Sequence, residues 1–465
     1  MLQTLTVCAL LAMGTTLGQA QEDRKENEVL VELTVAPMTA PKPALKYQLL
    51  PELKEMNPGN PIQGYLKCFM EQQNFFFNPE SVQNREKWGE MPLKDLPLKE
   101  LQGYRGSGAL RQADYAARLD TPDWQVLLKA KSDGTRLLLP DVQQMRMLAV
   151  ALRVRFRVEV AEGRFDDAIA SAKTMFALGR HFEAHPSLIA DLVGFAITGI
   201  AMHSLEEMIQ QPACPNLYWA LTGLPRPFVD IHKGLDADRM IWDPEFALLD
   251  STAPMSEQLL SKVIARLRET IIGLVKPEEL KNAGSWFQAR VTDASHVQAA
   301  RQRLIEAGID AKLVKKFPPL QVVLLDEKRE FEVWRDDTMK WMTLPYWQGE
   351  PGYLASQPPN QGGLEALLGD LVTSVFKVRG AQARVDRRIA MLRTVEALRL
   401  YAADHDGKLP AKLIDLPVPV PDDPITGKPF EYKMDGSTAE LHGAPPKAFA
   451  TNSAFNLRYV ISFKK

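Results

Sequence analysis

Cysteine is scarce in this 465-residue chain, which contains only three. A dense disulfide framework is therefore excluded, and a chain of this length can build a hydrophobic core without one. Neither sign of charge dominates, because 56 lysine and arginine residues face 58 aspartate and glutamate residues and leave a net charge of −2. This balance gives no electrostatic reason to expect nucleic acid or an anionic membrane as a partner.

Motifs of the common enzyme classes are missing as well. We find no Gly-x-Ser-x-Gly, His-Glu-x-x-His or Cys-x-x-Cys motif and no dinucleotide-binding fingerprint. The run Arg105-Gly106-Ser107-Gly108 lacks the Lys-Ser/Thr pair of a P-loop, so we interpret it as the start of a helix over 109–119. We therefore name no catalytic residue and no cofactor. Whether the chain is an enzyme stays open, with a non-enzyme favoured.

One pair of histidines has the spacing of a metal site. His181 and His185, with Glu183 between them, stand four residues apart, and this spacing lets two side chains on a helix share a metal ion. Pro186 follows His185 directly and forces it out of helical geometry. Since no third ligand is evident, we predict no metal site.

Long apolar runs are confined to two places. Residues 1–20 have an apolar core followed by small residues, with Gly18 and Ala20 where a signal peptidase cleaves, so we expect a signal peptide and an exported protein. Residues 188–202 are shorter than the roughly 20 residues that span a bilayer and contain Asp191, so we expect no transmembrane helix in the mature chain. Cys68 and Cys214 then remain. They could pair after export, but two buried free thiols are favoured.

The centre of the chain, residues 142–211, shows the clearest helical pattern. Apolar residues recur every three or four positions from Met145 to Val160, with four arginines on the other faces, and Gly163 should end this helix. The run 162–169 resembles the turn of a single tetratricopeptide hairpin, in which small Ala168 allows close helix contact. A second helix should run from Ser187 to about residue 211 and form the buried centre of the domain.

Proline and glycine suggest how the rest of the chain is divided. Residues 21–61 are proline-rich and predict an extended segment. Residues 62–348 should form a helical domain, with further helices over 255–275, 293–307 and 322–342. Residues 349–363, rich in proline, glutamine and glycine, indicate a linker before a module over 364–465. The predicted fold is mainly α, irregular and with a tetratricopeptide-like hairpin, plus a small C-terminal α+β module.

In the C-terminal module we expect two helices, over 364–378 and 383–403, and a small sheet. The arginines of the second helix lie largely off its apolar face and predict a solvated basic face. Asp435-Gly436 is a strong hairpin signal between two strands. Residues 455–463 alternate with period two and indicate a third strand, which completes a three-stranded antiparallel sheet.

The same module resembles a known head domain over about 60 residues. The run Asp423-Pro424-Ile425-Thr426-Gly427-Lys428-Pro429-Phe430-Glu431-Tyr432, after a long helix and before a hairpin, resembles the globular head of type II secretion pseudopilins. No long apolar assembly helix precedes it and no acidic metal-binding loop follows. Filament assembly and calcium binding are therefore not implied for this chain.

A cluster of aromatic residues follows Cys214. Tyr218, Trp219 and Phe228 could line a ligand groove, although such a cluster more often caps a core. In this region the chain resembles a family of uncharacterised secreted bacterial proteins, as it does over 44–61, 111–124 and 401–430. That resemblance implies no particular activity.

Two functions fit these patterns. The favoured hypothesis is a non-catalytic exported helical protein that binds a protein or an envelope component, whose identity is unknown. The alternative is a secreted hydrolase acting on polysaccharide or peptide, suggested by acidic segments near Trp242 and Trp334. Asp336 and Asp337 are adjacent, however, and adjacent residues on a helix point about 100° apart, so they cannot flank one bond.

Overall fold

The structure is a computed structural model that describes residues 23–25, 28–105, 107–250, 253–272, 277–356 and 363–463. The expected signal peptide over 1–20 lies outside these residues. Most of the described chain is helical, and a small sheet lies with helix packed against it near the C-terminus. The predicted fold class, mainly α with a small α+β module, is confirmed.

In chain order the elements of the described residues are β1 (Asp23–Lys25), β2 (Glu28–Val35), α1 (Pro61–Glu71), α2 (Gln73–Phe77), α3 (Pro79–Glu90), α4 (Gln102–Arg105), α5 (Gly108–Ala116), α6 (Leu127–Asp133), α7 (Pro140–Ala161), α8 (Phe165–Arg180), α9 (Leu188–Met208), α10 (Tyr218–Thr222), α11 (His232–Met240), α12 (Asp243–Phe246), α13 (Glu257–Ile271), α14 (Pro277–Thr292), α15 (Ala294–Glu306), α16 (Ala311–Val314), α17 (Pro319–Met339), α18 (Tyr346–Ala355), α19 (Gly363–Asp404), β3 (Glu431–Asp435), β4 (Thr438–Gly443) and β5 (Leu457–Phe463).

The chain forms two compact units. The helical unit contains Val126–Leu138 and Leu235–Arg379, and the sheet unit contains the preceding N-terminal part up to Gln125 together with Leu139–Gly234 and Gly380–Lys465. This division differs from the predicted boundaries, which assumed that each unit is continuous in sequence. The predicted linker over 349–363 is also helical at its start, because α18 runs to Ala355 with Pro351 inside it. Residues 357–362 lie outside the described residues.

The helical unit has two hydrophobic clusters. Trp242, Phe331 and Trp334 belong to the first, which α13 and the start of α19 complete. Val297 and Phe317 belong to the second, between α15 and α17. The helices predicted over 255–275, 293–307 and 322–342 correspond to α13, α15 and α17.

The sheet unit is built around α7, α8 and α9. Helix α7 ends where predicted, because Gly163 adopts a φ of 72° that favours glycine. Helix α9 begins at Leu188 with the Ser187 side chain accepting a hydrogen bond from the backbone of Ile189. It is the one helix among the described residues that is long and apolar enough to cross a membrane, and it is mostly buried inside the protein. We therefore interpret α9 as a core helix.

The sheet is larger than predicted and mixed. Its strand order is β1-β2-β5-β4-β3, with β2 parallel to β5 and the other neighbours antiparallel. The predicted hairpin is confirmed, and Gly436 has a φ of 60° at its turn. Within residues 21–61, which we predicted to be an extended segment, Glu28–Val35 form an additional strand of this sheet with alternating buried valine and leucine side chains. Its partner β5 lies at the far end of the chain, where local patterns cannot reveal the pairing.

Helix α19 differs from the prediction in two respects. It is one continuous helix rather than two. A glycine is needed at position 380, because a Cβ placed there would lie only 2.7 and 2.8 Å from the rings of Phe449 and Phe455. The prediction of a solvated basic face is also wrong. Arg387 and Arg399 are fully buried and Arg393 is nearly so. Each is paired with carboxylate, hydroxyl or carbonyl oxygens, which is the condition for burying a charge.

Candidate functional site

An open groove of about 370 Å³ lies in the sheet unit. We call it the turn groove, because the turn between α7 and α8 forms much of it. Its walls come from three separate stretches of chain, the extended segment before α1, that turn, and the loop after α9. The lining residues are Tyr47, Gly163, Arg164, Phe165, Asp166, Asp167, Ala213 and Pro215.

Local geometry sets the shape of the turn. The backbone N–H of Gly163 donates to the carbonyl of Val160, and that of Arg164 donates to the carbonyl of Glu159, both over 2.9 Å. Helix α8 then begins at Phe165. Asp166 and Asp167 occupy its first turn, where a negative charge complements the helix dipole. The turn therefore presents two carboxylates at the rim of the groove.

A tyrosine and a lysine hold the first carboxylate. The Tyr47 hydroxyl donates to Oδ1 of Asp166 over 2.8 Å, and Nζ of Lys46 lies 3.2 Å from Oδ2. The hydrogen bond from Tyr47 and the contact with Lys46 lower the pKa of Asp166, whereas burial raises the pKa of Tyr47. At neutral pH Asp166 is thus charged and Tyr47 is a neutral hydroxyl, so the chemical character of this wall is fixed.

An arginine holds the second carboxylate. Arg164 forms an ion pair with Asp167 and donates from Nε to Glu162 over 2.7 Å. The carboxylates of Asp166 and Asp167 nevertheless keep much of their surface, with side chains 68% and 53% exposed. Both can accept further hydrogen bonds from a bound group, since a carboxylate offers about four lone-pair sites.

A buried ion pair fixes the third wall. Arg399 and Glu396, both in α19 and both fully buried, lie 2.8 Å apart. Arg399 donates to the carbonyl of Cys214 over 2.8 Å, and Oε2 of Glu396 accepts from the backbone N–H of Leu217 over 2.8 Å. The side chain of Asn216 donates to the carbonyl of Glu396 over 2.9 Å. The loop that carries Ala213 and Pro215 is therefore anchored to the core.

The three aromatic residues predicted from the sequence are not assembled into one groove. Tyr218 is fully buried, with its hydroxyl accepting from Arg393 over 2.9 Å, and the ring of Trp219 meets it edge to face. Phe228 is also fully buried and packs on Phe176 with ring centroids 5.4 Å apart. Tyr218 and Phe228 thus belong to the core, and Trp219 alone of the three is partly exposed.

The histidines considered for metal binding have other contacts, and the two cysteines considered for a disulfide are not paired. His181 shares a hydrogen bond of 3.0 Å with the Tyr65 hydroxyl, and burial lowers its pKa to about 4. His185 is buried against Trp124, and burial lowers its pKa to about 3. Cys68 and Cys214 are buried free thiols. Within the described residues, no group of three or more histidine, cysteine, aspartate or glutamate side chains could hold a metal ion.

The residues that suggested a hydrolase lie in a hydrophobic cluster or in ion pairs. Trp242 and Trp334 lie in the first hydrophobic cluster of the helical unit. Asp336 forms an ion pair with Arg239 over 2.7 Å, and Asp337 forms one with Lys340 over 2.6 Å. The two carboxylates are therefore each neutralised by a separate cation.

No family model, curated protein or solved structure matches this chain.

Sequence reasoning did not identify the turn groove. In sequence, Asp166 and Asp167 are fully explained by the start of a helix, where acidic residues are favoured. Tyr47 lies more than a hundred positions earlier, and no local pattern joins the two. The one available signal is the segment 44–51, whose apolar residues favour contact with the folded body.

Proposed function

We propose that this protein is a non-catalytic exported binding protein that holds a segment of a partner protein in the turn groove. The observation that carries the proposal is the groove itself, with three walls fixed by hydrogen bonds and ion pairs. A surface that is already ordered loses little conformational entropy on binding, and this favours affinity.

The chemistry of the lining suggests how a partner is held. Phe165, Ala213 and Pro215 offer apolar contact, while the exposed carboxylates of Asp166 and Asp167 accept hydrogen bonds from backbone N–H groups or basic side chains. A volume of about 370 Å³ suits a few side chains of an extended segment rather than a whole domain. Charge-assisted hydrogen bonds of this kind contribute about 1.5–3 kcal/mol each.

The alternative, a hydrolase acting on polysaccharide or peptide, has less support from the geometry. The tryptophans that suggested it are in a core, and the two aspartates are in separate ion pairs. A substrate panel separates the two functions, because turnover that one acidic substitution abolishes would favour the hydrolase.

Photocrosslinking tests the proposal in the native envelope. A benzophenone amino acid replaces Tyr47 or Ala213 in the groove, or Tyr115 as a control on the exposed surface of α5 in the same unit. We expect a discrete crosslinked protein from the two groove positions only. Identical products from all three positions would contradict a specific site.

The captured protein is then purified for a direct binding measurement. We expect the Asp166→Ala variant to bind it about 10- to 100-fold more weakly, which corresponds to one charge-assisted hydrogen bond. Asp337→Ala is the matched control, because it removes another exposed aspartate paired with a lysine. Equal dissociation constants for the two variants would overturn the proposal.

A further inference from the structure

The first turn of α9 buries a carboxyl group in an unusual environment. Asp191 is fully buried, and neither of its oxygens has a hydrogen-bond partner among the residues that the structure describes. Buried carboxyl groups are normally hydrogen-bonded or paired with a cation. This one belongs neither to the turn groove nor to the buried arginine pairs of α19.

The carboxyl packs tightly against the first turn of α11. A Cβ placed on Gly234 would lie 2.2 Å from Oδ2 of Asp191, so the glycine permits a contact that any other residue would block. The same Cβ would lie 3.0 Å from the side chain of Leu188 and 3.2 Å from its backbone nitrogen. The carboxyl is therefore enclosed between α9 and α11.

The charged groups around it do not neutralise it. The 3-10 turn His181–Ala184 and the residue after it contribute Glu183 and buried, neutral His185. Asp230 precedes α11, and His232 and Lys233 are the first two residues of that helix. His232 is paired with Asp230, and the Lys233 ammonium donates to the carbonyl of Ala184. Burial, followed by the negative charges of Asp230 and Glu183, raises the pKa of Asp191 well above its usual value.

We propose that Asp191 is a pH-sensitive latch: its neutral carboxyl allows the first turn of α11 to pack on α9, and its ionised form releases that turn. An ionised carboxylate without a partner in an apolar site costs several kcal/mol, so ionisation must admit water. Gly234 lies directly against Oδ2 of Asp191, so this is the contact that we expect to open. The group stabilises the closed form at low pH, and this contribution is lost as the pH rises through the raised pKa.

Hydrogen exchange measured by mass spectrometry tests the latch from pH 5 to pH 9, after correction for the intrinsic exchange rate. In the wild-type protein we expect protection of residues 186–195 and 228–236 to fall about tenfold per pH unit from pH 5 upwards, since the carboxyl is protonated in the closed form and releases one proton on opening. Protection should level off at the pH at which Asp191 ionises in the closed form as well. Peptides from α7 and α8 should keep their protection.

Two variants and a control make the test specific. Asp191→Asn has nearly the same shape and cannot ionise, so its protection should not fall. Glu183→Gln removes a neighbouring negative charge and should lower the pH at which protection levels off, and this variant still decides the matter if Asp191→Asn fails to fold. Asp337→Asn, an exposed aspartate in the helical unit, should keep the wild-type profile. Equal profiles for wild type and Asp191→Asn, an unchanged levelling-off pH in Glu183→Gln, or an equal loss in α7 and α8 would each overturn the latch.

Discussion

Replacing Arg387 by methionine tests whether the buried arginines of α19 hold the C-terminal sheet. Arg387 forms a bidentate pair with Asp423 over 2.9 and 2.7 Å. Its guanidinium also donates to the backbone carbonyls of Gly443, Ala444 and Phe455. Arg387 and Asp423 have side chains only 1% and 2% exposed, so solvent cannot replace these contacts.

The size of the effect follows from what the substitution leaves behind. Asp423 would remain buried without its cation, and among the described residues the backbone N–H of Ile425 and the hydroxyl of Thr426 would be the remaining donors to its side chain. Removing one partner of a buried pair costs about 3–5 kcal/mol. Three carbonyls would lose a donor in addition, although such losses do not add fully. We therefore expect the free energy of unfolding of the sheet unit to fall by at least about 3 kcal/mol.

The assay must report on the sheet unit alone. Urea unfolding followed by pulsed hydrogen exchange of peptides from 431–443 meets this requirement, because these residues form the β3–β4 hairpin, whose last residue, Gly443, accepts a hydrogen bond from Arg387. Arg458→Met is the control, since Arg458 in β5 pairs with Glu28 and Glu440 at a partly exposed site. Exposed pairs contribute about 0–1 kcal/mol, and the control should lose no more than that.

The double variant Arg387→Met/Asp423→Asn distinguishes the unpaired charge from lost packing. It retains the side-chain hydrogen bonds of the loop but has no buried carboxylate, so it should be more stable than Arg387→Met by about 1–3 kcal/mol. If Arg387→Met costs no more than Arg458→Met, the arginine does not hold the sheet. A double variant as unstable as the single one would refute the role of the charge.

Three further predictions concern single residues. Gly380→Ala should destabilise the sheet unit by about 1–3 kcal/mol in urea unfolding despite the better helix propensity of alanine, because its methyl group meets the ring of Phe455; a stabilised variant would contradict the close approach. Burial alone would raise the pKa of Glu206, but its partner Arg388 lowers that pKa to about 2. The wild type should therefore lose about 3 kcal/mol of unfolding free energy between pH 4.5 and 2 that Glu206→Gln does not lose, and parallel pH profiles of the two proteins would refute this. The imidazole of His181 should show no titration by NMR between pH 5 and 8, since burial lowers its pKa to about 4; a midpoint near 6.5 would show that it is exposed.

Local patterns predicted those elements whose cause is local. Helices α7 and α9 were predicted from apolar spacing, Gly163 and Ser187, and the β3–β4 hairpin from Asp435-Gly436. In each case the residues that determine the element lie within it or beside it. The tertiary contacts reinforce a preference that the chain already has.

The errors have a common physical origin in distant partners. The alternation of β2 was present in the sequence, but its pairing with β5 joins opposite ends of the chain. An arginine has the same appearance in sequence whether water or Asp423 surrounds it, so the burial of Arg387 could not be predicted. The close packing of α19 at Gly380 involves aromatic rings about seventy positions later. The turn groove was missed for the same reason, since Tyr47 and Asp166 meet only in the folded chain.

The parallel pairing of β2 with β5 has a consequence for biosynthesis. During translation β2 leaves the ribosome more than four hundred residues before β5 is made, so its valine and leucine side chains have no strand partner over that interval. A chain whose synthesis stops early would therefore expose an apolar, unpaired β2. Chaperone capture of nascent chains should concentrate there and end once β5 has left the ribosome and paired with it.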